Sequence, residues 1–424
     1  MSLRQSPAPV PLQVAAKTPR SETEPPPVMI YLPAMWQRAA NSTSRIAELM
    51  AIKLTNGPGT FHTQEVPSPS PQLRNGQRIA EANSGPVLDL YMLDYRPRLR
   101  LAAIVGTDFG SALRRLALTI EYFFRSVTLL VPGLRRAKSP LAKAQLGIGF
   151  GMVGVLLASV VFTALAVLAS VGVWNPPDVH GNAVNAVALG ATAFTMWLLF
   201  KVRPAVQQAA TLVAQLLDYA QDERHAAGVA GGLDTALDDL LEDRPDRNIH
   251  LFGYSLGALV AMDYLYPRKS LHPQLDERHK KAISTLVTVG CPVDFIQLYW
   301  PRYRANRRVR VPGLRWTNVY IAADVLGSSF GEGDDCKVLR TGQGSGRQAD
   351  PDAMPQPDPI RYTDERLKFW NIWSARGFLS HGGYWDEPDH ENCMHLVIPN
   401  EVWPAASQGS KLQQTRGEAS SRSD

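Results

Sequence analysis

NIHLFGYSLGALVAMDYLY, residues Asn248 to Tyr266, decides how the rest of the chain is read. Ile249 to Phe252 is a short, mostly apolar run, and Gly253-Tyr254-Ser255-Leu256-Gly257 follows as a tight turn. Ala258 to Tyr266 is then apolar and helix-favouring. Strand, sharp turn and helix with a serine at the apex is the layout of a nucleophile elbow. Glycines two residues either side of the serine let strand and helix approach each other closely. Such a turn exposes the Ser255 hydroxyl at the carboxyl edge of a sheet. It also sets the Leu256 N–H at a helix N-terminus, where it can bind an oxyanion.

Working outward, Val28 to Leu32 (VMIYL) reads as a buried strand closed by Pro33, with Ala34-Met35-Trp36 as the loop after it. A helical pattern runs from Ser42 to Leu54, Thr55 to Gly85 reads as polar surface loop, and Val87 to Tyr95 as a strand. Pro204 to Ala220 is a helix pattern. Gly228 to Gly232 is expected to break it, and Leu233 to Leu241 is another helix, made acidic by Asp238, Asp239 and Glu242. Beyond the elbow, Pro267 to Lys281 is polar loop or short helix. Ile283 to Val289, Thr317 to Ala322 and Leu367 to Trp373 are strands, and Phe330 to Pro359 is a long Gly-, Asp- and Pro-rich excursion. Strands alternating with helical patterns predict an α/β fold, a mostly parallel sheet with helices on both faces.

An interruption splits that domain. Leu146 to Trp174 is roughly 29 residues without a charge, against about 20 needed to cross a bilayer. Ala183 to Phe200 is a second uncharged run, and Lys201 and Arg203 follow it. The two predict a transmembrane hairpin over 146–203. Before it, 96–145 carries ten Lys and Arg against Asp108 and Glu121, interleaved with Leu116, Phe123, Phe124 and Val127. That is the pattern of a basic amphipathic stretch on an anionic membrane surface. The loop between the spans holds no Lys or Arg, so the positive-inside rule puts both termini, and the α/β domain, in the cytoplasm. The expected location is a membrane of the bacterial inner kind. The α/β domain is then 28–95 plus 204–404. Residues 1–27 and 405–424, rich in Pro, Ser, Gln and charge, form a disordered arm and tail, and the arm lacks the apolar core of a signal peptide.

Composition excludes other classes. The 424 residues carry a net charge of +5, yet no nucleic-acid motif accompanies it. Cys291, Cys336 and Cys393 lack C-x-x-C spacing, so neither a disulfide framework nor a cysteine-rich metal site is expected. His390, Cys393 and His395 have no second cluster to complete a metal site. Gly342 to Gly346 has neither a strand before it nor a helix after it, and reads as a flexible loop. No cofactor and no metal are called for.

A serine hydroxyl needs a general base in reach, and the base needs an orienting carboxylate. In a parallel sheet these groups stand at the carboxyl ends of other strands. Asp324 follows the strand Thr317 to Ala322, with Asp294, after the preceding strand, as its rival. Of the histidines that follow, His381 sits in a turn context before Gly382-Gly383. His390 lies in an acidic loop, and His395 in the apolar run CMHLVI suits a packed core.

GYSLG after a strand, TVGCPVD after the next, WTNVYIAADVLGSS and HGGYWD together resemble the α/β-hydrolase superfamily, in particular its serine esterase and lipase-like members. The resemblance covers Val28 to Trp36, Val87 to Tyr95 and most of Asn248 to Trp385. The order Ser255, Asp324, His381 is the order of that superfamily's triad. The resemblance implies that Leu32-Pro33-Ala34-Met35 supplies the second oxyanion donor, from the N–H of Ala34 or Met35. It implies a serine hydrolase acting on an ester or lipid substrate. Two other readings are a catalytically silent hydrolase-fold scaffold at a membrane, and a soluble lipase whose apolar runs form a lid.

Overall fold

A computed structural model describes residues 26–34, 39–55, 60–83, 85–95, 216, 219, 220, 223–242, 244–267, 276–300, 302–304, 307, 311, 314–321, 324, 326–328, 330, 357–362 and 380–385. Residues 1–25 of the arm, the basic stretch, the hairpin and the tail lie outside them, as do the expected strand Leu367 to Trp373, Met35, His390 and His395. Among the described residues no helix is long and apolar enough to cross a membrane.

Eight strands form one mixed sheet in the order β2-β3-β4-β1-β5-β6-β7-β8. They are β1 (Val28–Leu32), β2 (Phe61–Val66), β3 (Leu73–Glu81), β4 (Gly85–Leu93), β5 (Ile249–Tyr254), β6 (Ile283–Val289), β7 (Arg315–Ile321) and β8 (Asp358–Tyr362). The six strands from β4 to β8 run parallel, and at the other end of the sheet β2 pairs antiparallel with β3, and β3 antiparallel with β4. The helices are α1 (Ala39–Thr55), α2 (Glu223–Glu242), α3 (Leu256–Leu265), α4 (Glu277–Ala282) and α5 (Val293–Tyr299), and a 3-10 turn spans Ser380–Trp385.

Period-2 alternation in β1 divides the core in two. Val28, Ile30 and Leu32 pack on one face with α2, α3 and α5, whereas Met29 and Tyr31 pack on the other with Ile46, Leu49 and Met50 of α1. Helices therefore cover both faces. The helix after β1 and the helix after the neighbouring strand β5 lie on opposite faces. The two connections part at the carboxyl ends of β1 and β5, the crevice where open α/β sheets take their ligands.

Three expectations need correction. Thr55 to Gly85 is not a loop, because β2 and β3 form a hairpin there, with Phe61 opposite Glu81 and Val66 opposite Gly76. β2 lies at the sheet edge and is half exposed along its length, so its sequence FHTQEV carries little apolar signal. The glycines at 228–232 do not break a helix, since α2 runs through them. Gly228 and Gly231 face open space, while Ala226, Val229, Leu233, Ala236, Leu237 and Leu240 form a buried stripe along one side. The three glycines cost about 1 kcal/mol each against alanine, and burying such a stripe outweighs that. Lastly, the excursion from Phe330 to Pro359 ends in the first residues of β8, whose proline is tolerated because the strand is an edge.

The acidic side of α2 is a set of ties. Asp239 accepts a 2.5 Å bond from Ser70 Oγ, Asp234 accepts one of 2.6 Å from Tyr264 of α3, and Asp238 meets His279 of α4 at 3.0 Å.

Candidate active site

The elbow is drawn as tightly as its glycines require. A Cβ on Gly257 would stand 2.0 Å from the Leu32 carbonyl oxygen of β1, and one on Gly253 would stand 2.5 Å from Ala258 Cα. Both obstacles are backbone and cannot swing aside. Ser255, between them, adopts φ 56° and ψ −120°, a region that costs a non-glycine residue about 1–3 kcal/mol. The Ser255 N–H donates to the Val289 carbonyl at 2.9 Å, which fastens the apex to the end of β6. Intrahelical bonding starts with the Ala258 N–H on the Ser255 carbonyl at 3.0 Å. The Leu256 N–H thus stands at the open end of a helix.

His381 and Asp324 arrive from distant parts of the chain and meet. His381 Nδ1 lies 2.8 Å from Asp324 Oδ2, with Asp324 fully buried. The Leu326 N–H donates to the other oxygen, Asp324 Oδ1, at 2.9 Å, an Asx-type turn that holds the carboxylate from behind. Tyr254, the residue before the nucleophile, holds the histidine: its ring stacks on the imidazole, centroids 5.4 Å apart, and its hydroxyl donates to the His381 carbonyl. Gly290, at φ +56°, makes room for the imidazole at the end of β6, where a Cβ would come within 3.0 Å of His381 Cε1.

Two polar atoms of the Ser255, Asp324 and His381 set are left over. Ser255 Oγ and His381 Nε2 are both buried, and neither has a hydrogen-bond partner. An orphaned buried polar atom is uncommon and calls for an explanation. Here the two orphans are the atoms that a nucleophile and its base would present to a substrate, and no hydrogen bond joins them in this structure.

Ala34 follows β1 and is buried, and the Pro33 carbonyl before it accepts a 2.5 Å bond from the Tyr95 hydroxyl. That bond fixes the peptide plane carrying the Ala34 N–H. The rival acid, Asp294, is occupied elsewhere: its Oδ2 accepts the Phe330 N–H at 3.3 Å, and its own N–H donates to Ser328 Oγ at 2.7 Å. Among the described residues one further cluster, Asp238, Asp276 and His279, brings ligand-type atoms within 4.8 Å. Arg278 bridges Asp238 and Asp276 at 3.2 and 3.1 Å, so a guanidinium already supplies the positive charge.

Sequence reasoning missed Tyr254, Gly290, Gly327 and Tyr384. The first, inside the elbow pentapeptide, and the last, inside HGGYWD, were in plain view, but only the fold shows what they touch. Comparison of this chain with protein-family models, with curated proteins and with solved structures finds no match.

Proposed function

We propose that this chain is a serine hydrolase that cleaves a carboxylic ester, with lipid esters as the substrates its apolar runs favour, through an acyl-enzyme on Ser255. One observation carries the reading: a serine held in the left-handed region at a strand–helix apex shares a sheet edge with a buried 2.8 Å His381–Asp324 pair. The three groups come from positions far apart in sequence.

In the proposed reaction Ser255 Oγ attacks the ester carbonyl carbon while its proton passes to His381 Nε2. Asp324, bonded to Nδ1, keeps the other nitrogen free to accept that proton, and stabilises the imidazolium once it forms. The carbonyl oxygen becomes an oxyanion, bound by the Leu256 N–H and by that of Ala34 or Met35. Collapse expels the alcohol, which takes the proton back from Nε2. Water then repeats the sequence on the acyl-serine and releases the acid. The same reading makes the sheet an α/β-hydrolase sheet with β1, β5, β6 and β7 as its catalytic strands. It makes 146–203 a transmembrane hairpin that keeps the site on the cytoplasmic leaflet, and 96–145 its contact with anionic lipid.

A silent scaffold is the second reading, favoured by the missing Ser255–His381 bond, although triads without substrate are often loose. Hydrolysis of p-nitrophenyl esters from acetyl to palmitoyl separates the two. Turnover that vanishes in Ser255→Ala supports the hydrolase, and no turnover of any ester by the folded, membrane-inserted chain supports the scaffold. Extraction of the membranes at alkaline pH tests the anchor, because a soluble lipase with an apolar lid would be released.

A further inference from the structure

We propose that Tyr384 is a positioning residue of the Asp324–His381 pair, setting how strongly the carboxylate holds the imidazole. This rests on the hydrolase reading above. His381 and Tyr384 lie three residues apart in one 3-10 turn, a spacing that eclipses their side chains. Both side chains reach the same atom: His381 Nδ1 and the Tyr384 hydroxyl each lie 2.8 Å from Asp324 Oδ2. The hydroxyl is itself oriented, since it accepts the Ile321 N–H of β7 at 3.0 Å and therefore points its one proton at the carboxylate. Gly327 leaves space for this, because a Cβ there would come within 2.7 Å of Asp324 Oδ2 and 2.8 Å of the Tyr384 oxygen. Burial, followed by the Asp324 charge, raises the phenol well above its ordinary range, so it stays protonated and remains a donor.

A donor on Oδ2 withdraws charge from the oxygen that faces the imidazole. Without it the carboxylate attracts the imidazolium more strongly, and the base is silenced at a higher pH. A further titratable group against the pair is Tyr254 of β5, whose ring stacks on the imidazole.

The test is the rate of fluorophosphonate labelling against pH for the full chain in detergent. In Tyr384→Phe the acid limb moves to higher pH by about one unit, and the plateau at alkaline pH stays within about tenfold of wild type. With 3-fluorotyrosine at 384, an isosteric and more acidic donor, the limb moves to lower pH. The two opposed shifts exclude a merely structural role, and the second variant keeps the test alive if the first fails to fold. A limb that stays in place in both variants overturns the proposal. Ser255→Ala serves as the control: if it still labels, the hydrolase reading itself has failed, whatever Tyr384 does.

Discussion

A hydrogen atom in place of a methyl group at position 257 lets β1 and the elbow touch. Because the obstacle is the Leu32 carbonyl at 2.0 Å, Gly257→Ala must push strand and helix apart. A loss of about 3 kcal/mol or more in a denaturant titration is expected, with labelling abolished. Unchanged stability would mean that the elbow is looser than described. At the acid, Asp324→Asn should cost a thousandfold or more in turnover, because the amide no longer holds the imidazole in the working tautomer. Asp294→Asn should cost little, since Asp294 serves the Phe330 N–H rather than a histidine. The opposite ranking in ester kinetics would move the acid to the earlier strand. Ser255 and Asp324 could be picked out as candidates because each follows the end of a buried strand, whereas His381 was picked out by its turn context before Gly382-Gly383. Tyr384 was not, because a tyrosine beside a tryptophan reads as core until its hydroxyl is seen on Asp324.

At the scale of elements, what the sequence disclosed follows burial. β1, β5, β6 and β7 are buried along nearly all of their length, so VMIYL, IHLFGY, ISTLVTV and WTNVYI stand out as apolar runs. The hairpin β2–β3 is held by backbone pairing and by the Arg78–Asp89 fork at 2.7 and 3.0 Å, none of which leaves an apolar period. α2 misleads differently. Its glycines look like a stop, but Gly228 and Gly231 face open space on a helix whose opposite side is sealed. Gly228→Ala should therefore stabilise the protein by about 0.5–1 kcal/mol, read as a rise in the thermal midpoint. A fall would show that the glycine serves a contact outside the described helix face.

For the whole molecule, stability against acid depends on a histidine far from the chemistry. His250 sits near the start of β5 with 4 % of its surface exposed. Burial, aided by Arg315, holds it at about 4 rather than 6.5. The unfolded chain binds this proton between those values and the folded chain does not, so stability is lost as pH falls from about 6.5 toward 4. Across the full window that amounts to on the order of 3 kcal/mol. His279 acts in the opposite sense. Burial lowers it, but its bonds to Asp234 and Asp238 prevail and the net shift is upward. Its contribution is thus present below about 6.5 and fades at higher pH. Urea titrations at pH 7 and pH 5 should show the acid loss shrinking in His250→Asn; an equal loss in both proteins would remove His250 as its source. The central claim is that the fold exists to present Ser255 as a nucleophile. The direct test is to treat the purified full-length chain with a fluorophosphonate, weigh it intact, and map the modified peptide. One adduct on Ser255, absent from a folded Ser255→Ala protein, is the predicted result. No adduct on the folded wild type, or an adduct that survives in Ser255→Ala, would contradict the account.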